Sequence, residues 1–252
     1  GNDLLLMPEN LETDYAAVLE AYMVGKISES RMATSVKKIL KAKYKAGLHR
    51  YVPIETTTLT QNLNSLDNEL LGERAMEGAI TVLKNRADII GIKNLENKKI
   101  AYVRFGDADH LPFLERLRQY AEIDEVSAND IGTLNRKLKE YNLVIIGMHQ
   151  SNESPYKKHS FSEKELFWLE EISRQPTSNS ILAVFAKPYI LSDVLSFDRV
   201  DGLVMSYQNS VIAQQTTAEL LFGVFEAKGR LPVTAHPTFP AGSGETTQLL
   251  NR

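Results

Sequence analysis

The sequence predicts an α/β fold, in which a mostly parallel sheet carries helices on both faces. From about residue 98 onward, short apolar runs typical of strands alternate with amphipathic stretches typical of helices. One of these runs, residues 143–148, is apolar throughout, as expected for a strand that is covered on both faces. Parallel strands need crossover connections that are usually helical, so this alternation favours an α/β sandwich.

The elements of this sandwich follow in order along the second part of the chain. A helix over residues 67–78 leads into a short strand over residues 79–83. The polar residues Lys84 and Asn85 mark the end of this strand. The other predicted strands are residues 100–105, a weak one near Val126, 143–148, 181–185 and 203–205. The helices predicted between and after them are residues 111–120, 131–141, 162–173, a short one near Leu191 and 211–222.

The first part of the chain has a different pattern. Residues 3–7 form an apolar run stopped by Pro8 and predict a buried strand, although no neighbouring strand is available to pair with it. Two amphipathic helices follow, and they end at Gly25 and Gly47. Since residues 51–64 lack periodicity, we predict an N-terminal part over residues 1–52, a linker over 53–66 and the α/β domain over 67–252.

Composition excludes several classes of function. The 252 residues carry a net charge of −3 with both signs interspersed, so there is no basic stripe for nucleic acid. No apolar run approaches the ~20 residues that span a bilayer, and we expect no membrane partner. The absence of cysteine excludes disulfides and thiolate chemistry, and it leaves the compartment open.

Several apparent motifs are better explained as ordinary structure. Gly242-Ser243-Gly244 lacks the strand, helix and lysine of a phosphate loop. Ser35 and Lys38 have the S-x-x-K spacing of serine β-lactamases, but such a pair is common on a solvated helix face. None of the five histidines is spaced to place two metal ligands on one helix face, so we expect no metal and no cofactor.

The predicted carboxyl ends of the strands hold the polar residues of most interest. Asp107 and Asp109 follow the first strand of the alternating region, where a turn role competes with ligand binding. Glu163 and Glu165 open a helix, and we explain both by the favourable interaction of their carboxylates with the N-terminus of that helix. The loop over residues 149–161 is long for a strand-to-helix connection. We expect it either to be solvated or to touch a ligand or another domain through Gln150, Asn152, Lys157, Lys158 or His159.

Four segments, in the right order, resemble glycoside hydrolase family 3. GNDLLLMP at residues 1–8 is similar to the A-G-x-D-hydrophobic-M-P stretch of the last barrel strand in that family. Three later segments of that family have similar counterparts here. They are the helix pair that ends at Gly47-Leu48, the stretch AITVLKN at residues 79–85, and LFG followed by GRLPVT at residues 229–234. We therefore expect residues 1–52 to be the end of a (β/α)8 barrel that begins in a longer chain.

The resemblance implies that the full-length parent is an exo-acting retaining β-glycosidase. Its nucleophile and its acid/base would lie upstream of Gly1, so no catalytic residue is assigned and this chain alone is expected to be inactive. Its partners would be a β-linked glycoside and the missing barrel in cis, or a second copy of this chain covering the exposed apolar residues. The residues expected near the substrate are Met7, His149, Asn152 and His159.

One departure from the family bears on specificity. Many family 3 β-glucosidases have a G-Q-E-G-G-like stretch before the closing helix, whereas this chain has Tyr207-Gln208-Asn209-Ser210-Val211, with no acid. The difference favours the β-N-acetylhexosaminidase branch, with a β-glucosidase or β-xylosidase as the alternative. The localisation is left open, with a periplasmic or secreted parent favoured. From a different class, a non-enzymatic module that binds carbohydrate or protein also remains open.

Overall fold

The computed structural model describes residues 1–151, 154, 156, 158–176 and 178–250. It divides into two compact units, Gly1–Leu63 and Asn64–Arg252. Within the described residues, no helix combines the length and the apolar character needed to cross a membrane.

The first unit is helical. Its elements are α1 (Leu11–Met23), α2 (Glu29–Lys45), a 3₁₀ turn (Leu48–Arg50) and α3 (Leu59–Leu63). Side chains cap the two long helices, because Asn10 accepts from the backbone N–H of Thr13 and Ser28 accepts from that of Arg31. Helix α3 lies inside the segment that the sequence predicts as a linker.

The strand predicted over residues 3–7 does not form in this chain, where those residues are irregular. A strand is stabilised by backbone hydrogen bonds to a neighbour, and the sequence offers none here. The segment is instead held through Asp3. Arg31 and Lys38 each contact its carboxylate at 2.7 Å, and the Ser35 hydroxyl donates to it at 2.8 Å. These contacts lower the pKa of Asp3 well below its usual range, with the hydrogen bond from Lys38 as the largest cause.

The second unit is a six-stranded sheet with helices on both faces. Its strands are β1 (Thr81–Asn85), β2 (Ile100–Gly106), β3 (Ile123–Glu125), β4 (Leu143–His149), β5 (Asn179–Phe185) and β6 (Gly202–Met205). Its helices are α4 (Leu66–Ala79), α5 (Leu111–Arg118), α6 (Ile131–Leu138), α7 (Glu163–Ser173) and α8 (Val211–Leu221), with a 3₁₀ turn at Pro188–Asp193. The predicted α/β sandwich is confirmed.

The strand order is β1-β6-β5-β4-β2-β3, and neighbouring strands are parallel except for β1, which pairs antiparallel with β6. Strand β4 is buried along its whole length. Its side chains alternate between two cores, so that Val144 and Ile146 join the core under α6 and α7. Leu143 and Ile145 join the core under α4, α5 and α8. The continuous apolar run in the sequence reflects this double burial.

Candidate functional site at the carboxyl edge of the sheet

The carboxyl ends of β2 and β4–β6 lie along one edge of the sheet, hereafter the carboxyl edge. The register pairs Gly106 with His149 and His149 with Phe185, so the loops that follow these strands emerge side by side. Open α/β sheets bind ligands at this edge. The site is therefore built around the last residue of the central strand, His149.

Both ring nitrogens of His149 are hydrogen-bonded inside the chain. Nδ1 lies 2.7 Å from Oδ1 of Asn209, and Nε2 lies 2.8 Å from the hydroxyl of Tyr102. The Asn209 amide is oriented by its own Nδ2, which donates to the carbonyl of Asp109 at 2.8 Å. Since Oδ1 only accepts, Nδ1 carries the proton. In the neutral imidazole, Nε2 then accepts from the Tyr102 hydroxyl.

The surroundings of the imidazole are aromatic and buried. Phe185 stacks on it with ring centroids 4.4 Å apart, and Phe113 lies 6.0 Å away. His149 has no exposed surface. This burial lowers the pKa of His149 to about 3, against an opposing contribution from the hydrogen bond to Asn209. Burial likewise raises the pKa of Tyr102.

Two glycines make room for this arrangement. A Cβ on Gly147 would lie 2.5 Å from Nε2 of His149 and 2.6 Å from the Tyr102 hydroxyl. A Cβ on Gly106, whose φ is +87°, would lie 1.9 Å from the carbonyl oxygen of His149. That carbonyl accepts from the backbone N–H groups of Asp107 and Ala108 at 3.0 and 3.2 Å. The backbone thus approaches itself more closely here than any side chain would permit.

The network continues into α8 and connects two loops. The carbonyl of Asp109 also accepts from Nε2 of Gln214 at 3.2 Å, and Oε1 of Gln214 accepts from the backbone N–H of Phe113 at 3.1 Å. The loop between β2 and α5 and the loop between β6 and α8 are therefore joined through Asn209 and Gln214. In chemical terms, this arrangement fixes loop positions and holds one neutral, buried base.

The structure places the predicted substrate-proximal residues in different environments. His149 is fully buried, so its ring cannot touch a ligand in this conformation. His159 is also buried, and its Nδ1 accepts from the backbone N–H of Lys187 at 3.0 Å. Met7 belongs to the first unit and is 88% exposed. Asn152 lies outside the described residues.

The rest of the 149–161 loop is described only in part. Gln150 is buried and donates from Nε2 to the carbonyl of Ser160 at 3.3 Å, whereas Lys158 is exposed. Lys157 lies outside the described residues. The described polar side chains of this loop therefore include both structural and solvent-facing groups.

The acidic residues at this edge have structural contacts. Oε2 of Glu165 forms a capping box with Ser162, and its Oε1 accepts from the backbone N–H of Gly106 at 2.7 Å. The side chain of Asp109 accepts from the backbone N–H of Leu111 at 3.0 Å, in the turn role considered for it. Asp107 contacts the backbone N–H of Ser151 at 3.4 Å.

Sequence reasoning missed the roles of Tyr102, Asn209 and Gln214. The available signal was weak: Gln214 stands on a helix whose other inward residues are apolar or small, and His149 directly follows the apolar run of residues 143–148. Among the described residues, no group of three or more histidine, aspartate or glutamate side chains is arranged to hold a metal ion.

Neither a protein-family model nor a curated protein sequence matches the chain. Solved structures do match. A glycoside hydrolase family 3 β-N-acetylglucosaminidase from Paenibacillus sp. matches over 91% of this chain and 44% of its own, at 18% identity and a TM-score of 0.60. A β-glucoside phosphorylase, BglX, matches over 93% and 44%, at 18% identity and a TM-score of 0.64.

A β-glucosidase from Listeria innocua matches over 94% of this chain and 35% of its own, at 16% identity and a TM-score of 0.62. The chain thus spans less than half the length of these structures. At such identities the likeness concerns architecture. The chain has the fold of one part of a family 3 glycoside hydrolase.

Proposed function

We propose that this chain is the C-terminal, non-catalytic part of an exo-acting retaining β-glycosidase of glycoside hydrolase family 3. The observation that carries the proposal is the first unit, which has helices but no core of its own. Among residues 1–63, all of which the structure describes, no hydrophobic side chain is buried, and Ser35 is the one buried residue.

The exposed apolar side chains of this unit are large. Leu6 is 83% exposed, Leu11 72% and Leu40 60%. Helices in water are stabilised mainly by packing of their apolar faces, and each such side chain contributes roughly 1.5–3 kcal/mol when it is fully buried. Residues 1–63 therefore need a covering partner. The four family-like segments and the partial coverage of the matching structures support the rest of a (β/α)8 barrel as that partner.

Retaining glycosidases use a carboxylate nucleophile and an acid/base, about 5 Å apart when both are carboxyl groups. In the family that this chain resembles, the N-acetylglucosaminidase branch takes a histidine acid/base from a barrel loop. The nucleophile of that family is an aspartate on an earlier barrel strand, and no position of this chain matches it. Glu165 is committed to Ser162 and Gly106 by hydrogen bonds. We infer that the chain alone does not hydrolyse glycosides and that the second unit supports the barrel.

For the parent we favour a β-N-acetylhexosaminidase over a β-glucosidase or β-xylosidase. Asn209 stands in the stretch where many family 3 β-glucosidases have a glutamate. Its side chain is used internally, with Oδ1 on His149 and Nδ2 on the carbonyl of Asp109. Because Asn209 has no carboxylate and its amide is used internally, we infer that the acid/base comes from the barrel. In that setting Met7, followed by Pro8, would be the residue of this chain closest to the sugar.

The test compares this chain with a longer one that adds the residues encoded immediately upstream. Both are assayed on p-nitrophenyl β-glycosides of N-acetylglucosamine, glucose and xylose. We expect turnover by the longer chain, fastest on the N-acetylglucosaminide, and none by residues 1–252. Turnover by residues 1–252 at a rate normal for glycosidases would refute the missing-nucleophile argument.

Two further outcomes distinguish the alternatives. Preference of the longer chain for glucoside or xyloside would move the parent to the other branches. If the longer chain hydrolyses no β-glycoside and calorimetry shows that residues 1–252 bind N-acetylglucosamine tightly, the chain is a carbohydrate-binding module instead.

A further inference from the structure

We propose that the carboxyl edge contains an acid-sensitive lock, in which neutral His149 fastens the β2–α5 and β6–α8 loops and its protonation releases them. The proposal concerns the second unit alone and does not depend on the glycosidase assignment. The ring of His149 contacts Tyr102 of β2 and Asn209 of the β6–α8 loop, and its carbonyl contacts Asp107 of the β2–α5 loop.

The lock requires the imidazole to be neutral. In the closed state Nε2 accepts from the Tyr102 hydroxyl, which is also fully buried. A proton taken from water by Nε2 would turn this acceptor into a donor that faces another donor. Tyr102 would then have to rotate its own proton towards the aromatic core. The imidazolium would in addition be a charge in an apolar site.

The charged groups around His149 do not compensate for that charge. Strand β2 contributes Arg104, a cation, and the β2–α5 loop contributes His110 and Asp109. The carboxylate of Glu125 at the end of β3 lies 2.8 Å from Nε2 of His110. Helix α7 presents Glu165, which is bound to Gly106, and the described neighbours from β5 and α8 are the uncharged Phe185 and Gln214.

The β6–α8 loop is strained in a way that favours its release. Tyr207 has a φ of +63°, which is unfavourable for a residue with a Cβ. The loop is held in that conformation by Asn209 on His149, by Asn209 on Asp109, and by the Tyr207 hydroxyl on Thr81 at 2.6 Å. Protonation at Nε2 keeps the bond from Nδ1–H to Asn209, so the release comes from the exposure of the charged ring to water. Once the ring is exposed, this restraint on Asn209 is lost.

The size of the effect follows from linkage. An imidazole with a pKa of about 3 when closed and 6.5 when open makes opening about 25-fold more favourable at pH 5 than at pH 7. The closed-state pKa is the lower one, so the stabilisation of the closed state is complete above pH 6.5 and decreases as the pH falls towards 3. The transition between closed and open loops therefore responds to mild acid.

The lock is tested by amide hydrogen exchange at pH 7 and pH 5, corrected for the intrinsic rate at each pH. The reporters are the amides of Asp107 and Ala108, which bond the carbonyl of His149, and the controls are those of Asn142 and Asn179 at the opposite edge of the sheet. We expect reporter protection to fall about 25-fold and the controls to change much less.

Two variants identify the titrating group. In His149→Gln, which cannot titrate, the pH dependence should disappear, whereas His110→Gln should retain it. Should His149→Gln not fold, a pH series on the wild type and His110→Gln replaces it. Protection should begin to fall at about pH 6.5, where an exposed imidazole titrates, and a fall that begins only at about pH 4, where carboxylates titrate, would overturn the proposal. The proposal is overturned by an equal loss of protection at both edges, by no loss at either, or by a loss that disappears in His110→Gln.

Discussion

Gly106 determines whether His149 can occupy its place in the site. Substitution by alanine would bring a Cβ to 1.9 Å from the carbonyl oxygen of His149, at a φ of +87°. Overpacking and the unfavourable φ together should lower the free energy of unfolding by about 3 kcal/mol or more. Urea denaturation monitored by circular dichroism measures this change.

The matched control for Gly106→Ala is Gly242→Ala. Gly242 has nearly the same φ, +89°, but a Cβ there would meet no atom within 4 Å. We expect it to cost about 1 kcal/mol, because only the backbone conformation is penalised. Equal losses in the two variants would show that the close approach at His149 relaxes easily.

The residues of the His149 network show where sequence reasoning reaches its limit. His149 was predicted to begin a loop, because it is a polar residue directly after an apolar run. It is in fact the last residue of β4 and lies inside the core. Its partners Tyr102 and Asn209 are 47 and 60 residues away along the chain. Only the parallel pairing of the strands brings them together.

At the scale of elements, α7 depends on the capping box at its first turn. Glu165→Ala removes the acceptor for the backbone N–H of Ser162 and for that of Gly106. The backbone N–H of Gly106 is partly buried and belongs to strand β2, so its loss of an acceptor also breaks a contact between α7 and β2. We therefore expect a loss of about 2 kcal/mol in the free energy of unfolding. Thermal and urea unfolding provide the measurement.

Glu163→Ala is the control for Glu165→Ala, since Glu163 is an exposed acid in the same first turn of α7. Glu163→Ala should lower the free energy of unfolding by about 0.5 kcal/mol, because it removes a favourable interaction between the carboxylate and the helix dipole. If the two variants are equally stable, the contact between α7 and β2 contributes little to the fold.

The elements were predictable to different extents for physical reasons. Strands β4 and β5, and β2 apart from the exposed Arg104, are buried on both faces, so their apolar runs stand out in the sequence. The direction of β1 was not predictable, because its pairing with β6 is a contact between distant segments that local periodicity does not record. Residues 3–7 have the composition of a strand but lack a neighbour, and without one the strand does not form.

At the scale of the whole molecule, the two units differ in what they bury. The second unit has a core on each face of its sheet. Residues 1–63 have the same apolar periodicity in their helices and leave it exposed. Periodicity therefore predicts which face of a helix is apolar, but it does not show what covers that face.

This exposed face leads to a prediction about association. We expect the 252-residue chain to self-associate through α1 and α2, because both helices expose several large apolar side chains to water. The double substitution Leu19→Glu with Leu40→Glu, at side chains that are 46% and 60% exposed, should shift the chain towards monomer. It should do so without lowering the stability of the second unit. Sedimentation equilibrium over a range of concentrations gives the mass.

Leu195→Glu is the control for the double substitution, since Leu195 is 98% exposed but belongs to the second unit. It should leave the association unchanged. A shift towards monomer as large as that of the double substitution would show non-specific hydrophobic association instead of a defined interface. A strict monomer for the unsubstituted chain would mean that residues 1–63 tolerate their exposure in water. In that case the exposed helices would not require a covering barrel.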